Sequence, residues 1–278
     1  MKLLRYGPVG HEKPACLDAS GTMRDLSGVV ADFEGEGVSL EALDALKRLD
    51  LEALPVVEGA PRIGAALARV ETFYAIGLNY AQHAAEAGME PPKEPILFNK
   101  SASCLAGPND ALTLPKGSEK SDWEVELGVV IGRRAQNVSV DDALSYVAGY
   151  CVINDLSERA YQIERGGQWT KGKSAPGFGP VGPYLVTADE VPDPQALGLR
   201  LSLNGEMVQD NFTSDMIFSV AEIIAHMSEF MALVPGDVIA TGTPEGVGMG
   251  MKPQRFLRSG DVMELEIDGL GKQRTEVL

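Results

Sequence analysis

Frequent turn signals divide this chain into short strand-like runs, and that pattern limits the available folds more than any other feature. Residues 199–203 and 207–209 flank Asn204-Gly205, a dipeptide typical of two-residue hairpin turns. Long helical stretches are few, and the clearest one covers residues 216–231. Other strand-like runs cover residues 123–131, 146–153, 238–240 and 262–267. The pattern predicts an α+β fold with a mostly β core and not a doubly wound parallel sheet.

The beginning of the chain differs in pattern from the rest. Residues 2–30 resemble short strands joined by turns. Residues 39–55 begin with a serine suited to capping a helix, contain four leucines at helical spacing and end in a proline. We therefore expect a small N-terminal α+β domain over residues 1–65 and a larger domain over residues 70–278.

The charge balance argues against two classes of partner. The chain has 24 Lys and Arg residues against 40 Asp and Glu residues, which gives a formal net charge of −16. A surface this acidic repels nucleic-acid phosphates and anionic lipid headgroups, and the chain has no compensating basic patch. No apolar run approaches the roughly 20 residues of a membrane span. We expect neither nucleic acid nor a membrane as a partner.

The cysteines and the first residues indicate a cytoplasmic location. The three cysteines are odd in number and lack the spacing of a metal site, which is typical of a reducing compartment. In the sequence MKLLRYGPVG, Arg5 and Gly7-Pro8 interrupt what would be the apolar core of a signal peptide. The expected location is therefore the cytoplasm.

Two glutamates alternate along the strand predicted over residues 123–131. Strand geometry places Glu124 and Glu126 on one face, where charged side chains are most often exposed to water. The same face continues with Gly128, Val130 and Gly132, which are small or apolar and typical of an interior. Two interior carboxylates require a cation.

Asp155 follows a second apolar strand and has two interpretations. With Glu158 three residues later, it matches the capping box that begins a helix. It also lies at the end of a buried strand, a usual place for a metal ligand. Together with Glu124 and Glu126 it would form an oxygen-only set, which suits Mg²⁺ or Mn²⁺ and not zinc.

His83 and Glu86 lie three residues apart in a short predicted helix that ends at Gly88. On one helix face, Glu86 could orient the imidazole as a general base. An exposed ion pair explains the same spacing equally well.

Residues 167–174, GQWTKGKS, match the phosphate-loop pattern. That mechanism needs a preceding strand and a following helix, whereas here the preceding stretch looks helical and Pro176 blocks a following helix. We interpret the match as coincidental, with nucleotide binding kept as an alternative. Lys173 remains of interest as a cation in a glycine-rich loop near acidic residues.

The glycine-rich loop over residues 241–248 follows a predicted strand. It is either a surface turn or a loop whose amides and threonine hydroxyls hold a substrate carboxylate.

Five segments, taken in order, resemble the fumarylacetoacetate hydrolase family. They are residues 77–86 (GLNYAQHAAE), 124–132 (EVELGVVIG), 154–159 (NDLSER), 168–174 (QWTKGKS) and 235–244 (PGDVIATGTP). Each segment alone is unspecific, whereas the ordered set is specific. The resemblance covers about residues 70–275, and the first 65 residues look like the family's small N-terminal domain.

The resemblance implies a mixed β-roll fold, a homodimer or higher homo-oligomer, and a Mg²⁺ or Mn²⁺ cofactor. It implies that the metal ligands are Glu124, Glu126 and Asp155. Three carboxylate ligands would leave about three positions of an octahedron, enough for a chelating 2-oxo acid and a water molecule.

The resemblance also assigns roles to the remaining polar residues. His83 and Glu86 would activate water on a segment that often closes as a lid, and Lys173 would stabilise an oxyanion or enolate. Thr243 would bind the substrate carboxylate, and Arg159 and Gln162 fall where the family often has polar groups in the active site. The chain departs from the family at residues 175–177, Ala-Pro-Gly, where an Asp-Thr pair is common.

Family members hydrolyse, decarboxylate, isomerise or hydrate 2-oxo acids. Because both members of the dyad are present, we expect hydrolytic cleavage of a 2,4-dioxo acid to pyruvate and a second acid. The stretch 164–174 resembles the subgroup that acts on 2,4-dioxo-3-deoxy sugar acids. The alternatives are a ureidoglycolate-lyase-like, decarboxylase or isomerase activity, a nucleotide-binding protein, and a β scaffold without catalysis.

Overall fold

A computed structural model describes residues 1–278 and contains seventeen β-strands and six α-helices. The strands are β1 (Lys2–Tyr6), β2 (Lys13–Leu17), β3 (Met23–Asp25), β4 (Phe73–Gly77), β5 (Ile96–Lys100), β6 (Leu105–Ala106), β7 (Ser121–Asp122), β8 (Val125–Ile131), β9 (Val147–Asn154), β10 (Ser157–Glu158), β11 (Gly179–Pro180), β12 (Leu185–Thr187), β13 (Gly198–Leu203), β14 (Glu206–Phe212), β15 (Val238–Ala240), β16 (Val262–Ile267) and β17 (Gly271–Glu276). The helices are α1 (Leu40–Leu46), α2 (Ala81–Glu86), α3 (Val140–Ala143), α4 (Arg159–Ile163), α5 (Thr170–Lys173) and α6 (Val220–Phe230).

Nine strands form one large sheet in the order β3-β2-β1-β12-β9-β8-β15-β4-β5. Every neighbouring pair is antiparallel except β15 and β4, which run parallel. Strands β14, β13, β16 and β17 form a four-stranded antiparallel sheet that packs over β8 and β9. The predicted mixed, mostly β architecture is confirmed.

The central strands β8 and β9 are buried along their whole length, because sheet and loops cover both of their faces. The strand-like run of residues 123–131 becomes β8, and that of residues 146–153 becomes β9. The predicted hairpin is also present, with Asn204 at φ 54° and Gly205 at φ 81° between β13 and β14. Left-handed φ at both positions is what a type I′ turn requires.

The N-terminal strands join the same large sheet, because β1 pairs with β12 through Leu3 and Leu185. Helix α1 begins where the sequence indicates, and the Ser39 hydroxyl accepts a hydrogen bond from Ala42 N. The division into domains at residues 1–65 and 70–278 stays a prediction. None of the helices has the length and apolar character needed to cross a membrane.

Candidate active site

Three carboxylates meet where β8 begins and β9 ends. The antiparallel register pairs Val125 with Asn154, so Glu124 and Asp155, the residues just outside these strands, become neighbours. Asp155 N donates to Glu124 O at 2.9 Å, and Glu126 lies two residues along β8 on the same face as Glu124. One oxygen of each carboxylate lies within 4.8 Å of the other two, and all three side chains are buried.

Two cations lie against Glu124. Lys173 Nζ contacts Glu124 Oε2 and lies 2.8 Å from Asp155 Oδ2, and Arg159 Nη2 lies 2.8 Å from Glu124 Oε1. Burial alone would raise the pKa of Glu124, but the positive charges of Lys173 and Arg159 lower it to about 2. Glu124 is therefore ionised at neutral pH.

Glu126 has no cation of its own. Its Oε2 accepts a hydrogen bond from Gly242 N at 2.8 Å. Burial, together with the negative charges of Asp155 and Glu124, raises the pKa of Glu126 well above its usual value. An added cation would relieve this repulsion.

The donor set fits a divalent metal ion. All three side chains offer carboxylate oxygens, which hard cations such as Mg²⁺ and Mn²⁺ prefer. Glu126 is the member of the trio that no lysine or arginine pairs with, so a metal ion would be its counterion.

Asp155 does not cap a helix. Glu158 is the N-cap of α4, and its side chain accepts from Ala160 N. Asp155 instead directs both carboxylate oxygens at lysines, with Lys100 Nζ 2.5 Å from Oδ1 and Lys173 Nζ 2.8 Å from Oδ2.

Sequence reasoning missed Lys100, the last residue of β5. Its completely buried side chain also donates to the backbone carbonyl oxygen of Lys173, which fixes the end of α5 beside Asp155. The available signal was the lysine at the end of the strand-like run ILFNK. A lysine is almost never fully buried without an anionic partner, so a buried lysine there would indicate a carboxylate beside it.

Asp122 was also missed, although it shares the strand face of Glu124 and Glu126. Its buried carboxylate accepts from Arg159 Nε at 2.8 Å, Gly248 N at 2.7 Å and Met249 N at 3.0 Å. Asp122 thereby holds both Arg159 and the loop that follows β15. The alternation of residues 122, 124 and 126 was the signal for it.

Arg159 in turn orients Gln162 one turn along α4, with 3.1 Å between Arg159 Nη1 and Gln162 Oε1. Because the carbonyl oxygen of Gln162 is occupied by this contact, its amide NH₂ is left to donate into the cavity.

The predicted dyad is assembled on α2. His83 Nδ1 lies 3.4 Å from Glu86 Oε2, and His83 is buried. Both Glu86 oxygens also accept from Gly246 N, at 3.1 and 3.2 Å. Glu86 therefore fixes α2 to the glycine-rich loop as well as contacting the imidazole.

Thr243 lies on that loop, but its hydroxyl is already engaged. Oγ1 lies 3.0 Å from the carbonyl oxygen of Val125 and accepts from Gln209 Nε2 at 2.8 Å. A substrate carboxylate would have to replace Val125 O as the acceptor of the hydroxyl proton.

One cavity of about 330 Å³ brings these side chains together. Eight of the nine sequence-predicted site residues line it, namely His83, Glu124, Glu126, Asp155, Arg159, Gln162, Lys173 and Thr243. Glu86 is the exception and lies behind His83, against Gly246.

Residues 167–174 do not have the architecture of a phosphate loop. The four-residue helix α5 ends at Lys173 instead of starting after it, and α4, not a strand, is the preceding element. Lys173 is paired with two carboxylates. The divergent residues 175–177 form a turn, with Phe178 N donating to Ala175 O at 2.9 Å, and do not line the cavity.

Comparisons with known proteins agree with this geometry. Residues 72–278 match the family model described as fumarylacetoacetate (FAA) hydrolase C-terminal. A protein of Burkholderia cenocepacia, provisionally named a hydrolase with no substrate given, is 59% identical over 274 residues, covering 98% of this chain and 97% of that protein.

Two solved structures represent different reactions. Fumarylacetoacetate hydrolase from psychrophilic Exiguobacterium antarcticum is 34% identical with a TM-score of 0.88, covering 100% of this chain and 99% of that one. A 2-hydroxyhepta-2,4-diene-1,7-dioate isomerase from Mycobacterium marinum is 30% identical with a TM-score of 0.75, covering 100% and 98%.

Proposed function

This chain belongs to the fumarylacetoacetate hydrolase family, and we propose that it hydrolyses a C–C bond of a 2,4-dioxo acid with the aid of Mg²⁺ or Mn²⁺. The observation that carries the proposal is the shared cavity. A buried carboxylate trio, the catalytic base candidate His83 and the cation Lys173 all line it.

Glu124, Glu126 and Asp155 would hold the metal ion, which supplies Lewis-acid polarisation of the substrate's 2-oxo group. The carboxylates need no rearrangement of the backbone to do so, since their oxygens already converge. The amide of Gln162 and the loop at Thr243 are placed to bind substrate oxygens.

His83 would take a proton from water, and the hydroxide would add to the C4 carbonyl. Glu86, fixed by Gly246 N, would orient the imidazole and stabilise the imidazolium that forms. Breaking the C3–C4 bond leaves the electron pair on C3 as the enolate of pyruvate, which accepts a proton at C3. The other fragment leaves as a carboxylic acid.

Lys173 would stabilise the negative charge that develops on the enolate. Its ammonium is held beside Glu124 and Asp155 in a buried site, where a fixed charge acts more strongly than in water. The protein residues that contact the part of the substrate beyond C4 decide which 2,4-dioxo acid is bound. The sequence resemblance favours a 3-deoxy sugar acid.

Isomerisation is the second candidate, because a structure of similar fold is named as an isomerase. The same base would then move a proton between carbons without adding water. The family resemblance supports a homodimer or higher homo-oligomer, and the three buried free cysteines support a cytoplasmic location.

The deciding experiment supplies 2,4-dioxopentanoate in ¹⁸O-labelled water with Mg²⁺ and, separately, with a chelator. We expect pyruvate and acetate, one solvent oxygen in the acetate, and loss of turnover with the chelator. Pyruvate formed without labelled acetate would contradict hydrolysis, and substrate consumed without pyruvate would favour isomerisation.

A further inference from the structure

The side chains that line the candidate active site are of two chemical kinds, polar and apolar. All eight polar side chains that line it are the predicted site residues described above. Under the proposed function, seven of them bind the metal ion, the 2-oxo acid group or the attacking water, and the eighth, Arg159, is engaged by Asp122 and Glu124. None is left to recognise the rest of the substrate.

The remaining side chains are apolar, and we call them the apolar wall. It includes Ile76, Ala87, Met89, Phe98, Ile163 and Trp169. Among these side chains the one nitrogen or oxygen atom is the indole nitrogen of Trp169. The cations of the cavity, Arg159 and Lys173, are both paired with carboxylates. Lys173 Nζ also lies 5.3 Å from the centre of the Phe98 ring, but Glu124 and Asp155 already neutralise its charge.

Trp169 is held in place on two sides. It packs edge-on against Phe98, with 5.3 Å between ring centroids and an interplanar angle of 68°. Its six-membered ring also lies directly over Gly77, where a Cβ would overlap it. The lack of a side chain at Gly77 lets the indole approach the end of β4. Trp169 is therefore held in a fixed position in the cavity lining.

We infer that the group attached to C4 of the substrate is apolar, alkyl or aryl, and carries neither several hydroxyls nor a second carboxylate. This inference rests on the proposed function and narrows it. Met89 and Ile163 are about half exposed, whereas Ile76 is buried and Phe98 and Trp169 are partly buried. Against Ile76, Phe98 and Trp169, hydroxyl groups of a sugar-acid tail would lose water and find almost no side-chain partner. A distal carboxylate would lose its hydration without gaining a cation. The substrate class inferred here differs from the sugar-acid expectation.

Binding of 2-oxo acids that cannot be cleaved tests the wall separately from the reaction. Calorimetry with Mg²⁺ present would compare 2-oxohexanoate, a 2-oxo-3-deoxyhexonate and 2-oxoadipate, which have six carbons each, with pyruvate as the tail-free reference. We expect 2-oxohexanoate to bind about tenfold tighter or more than the polyhydroxylated and dicarboxylate acids, the scale of discrimination for a mismatched polar group in a hydrophobic pocket.

The outcomes separate the two proposals. Equal binding of all tails, or tighter binding of the hydroxylated or dicarboxylate acid, overturns the inference and leaves the proposed function standing. No binding of any of the four acids overturns the proposed function and the inference with it.

A charge introduced on the wall gives a second measurement. Ile163 is 51% exposed at the cavity, so Ile163→Arg should fold, and Val140→Arg is the matched control because Val140 is 47% exposed and does not line the cavity. We expect Ile163→Arg to shift the affinity ratio toward 2-oxoadipate by about tenfold or more, and Val140→Arg to leave it unchanged. An unchanged ratio in both variants would show that the tail does not contact this wall.

Discussion

Lys100 Nζ lies 2.5 Å from Asp155 Oδ1, and both side chains are almost completely inaccessible to solvent. The same ammonium donates to Lys173 O at 2.5 Å, so one buried lysine joins the end of β5, the end of β9 and the end of α5. These three elements are distant in sequence, and Lys100 fixes how they meet at the carboxylate trio.

We expect Lys100→Met to lower the free energy of unfolding by about 3–5 kcal/mol, because it leaves the buried Asp155 with one cation fewer. Turnover should fall by about tenfold or more as Lys173 and Asp155 lose their alignment. Urea unfolding and steady-state kinetics measure both effects. The matched control is Lys171→Met, since Lys171 is exposed and donates to Arg165 O alone. Wild-type stability and turnover in Lys100→Met would contradict this role.

Glu124→Ala should abolish metal-dependent turnover while the protein stays folded. The substitution removes one of three metal ligands, and it leaves Lys173 with Asp155 and Arg159 with Asp122 as partners. Calorimetric titration with Mg²⁺, together with far-ultraviolet circular dichroism, measures binding and fold. Glu119→Ala is the control, because Glu119 is exposed. Normal metal-dependent turnover in Glu124→Ala would overturn the assignment of the metal site.

Much of this site was readable from the sequence because its residues follow strand periodicity. Glu124 and Glu126 alternate at the start of β8, Asp155 directly follows β9, and His83 and Glu86 share a helix turn, so local patterns made them candidates. Their roles came from the resemblance of the five ordered segments to the family. The hairpin at Asn204-Gly205 was equally local, since its backbone angles demand those residue types.

Local sequence patterns could not identify Lys100 or the apolar wall. Lys100 matters because β5 lies at the edge of the large sheet, and that placement depends on the parallel pairing of β15 with β4. Trp169 and Phe98 become neighbours only after the chain between them has folded, and nothing in their local spacing marks them as a substrate surface. Long-range packing, not periodicity, sets these features.

Metal binding should release a proton at Glu126. Because burial and the charges of Asp155 and Glu124 raise its pKa, the metal-free folded protein holds a proton that the unfolded chain releases above about pH 4.5. Glu126 therefore destabilises the metal-free fold increasingly as pH rises from about 4.5 to its raised pKa, and by a constant amount above that. Glu124 has the opposite effect, because its lowered pKa stabilises the fold. This stabilisation is lost only as pH falls from about 4.5 toward its pKa of about 2.

We accordingly expect Mg²⁺ to raise the Tm more at neutral pH than just above pH 4.5, where the window set by the raised pKa of Glu126 begins. Calorimetry in two buffers with different ionisation enthalpies should detect the released proton. Glu126→Gln carries no titrating group, so it should release none. Equal proton release by the wild type and this variant would place the titration elsewhere.

His83→Ala should lower cleavage of a 2,4-dioxo acid by roughly a hundredfold or more, the usual scale for a general base. Decarboxylation of oxaloacetate requires no attacking water and should fall much less. The control is His226→Ala, because His226 lies on α6 with its ring against Phe230 and does not line the cavity. Equal losses in both reactions would show that His83 serves the site's structure and not the activation of water.

Gly250 tests whether the docked position of α2 matters for activity. A Cβ at Gly250 would overlap Cγ and Cδ of Glu86, the side chain that contacts His83 and accepts from Gly246 N. The backbone at Gly250 is not left-handed, so Gly250→Ala introduces no strain of its own and acts by displacing Glu86. We expect turnover to fall by about tenfold or more through misplacement of His83, with the urea midpoint nearly unchanged. Gly28→Ala is the matched control, because a Cβ there meets no atom within 4 Å. If Gly250→Ala turns over at the wild-type rate, the contact between Glu86 and the glycine-rich loop does not position the base.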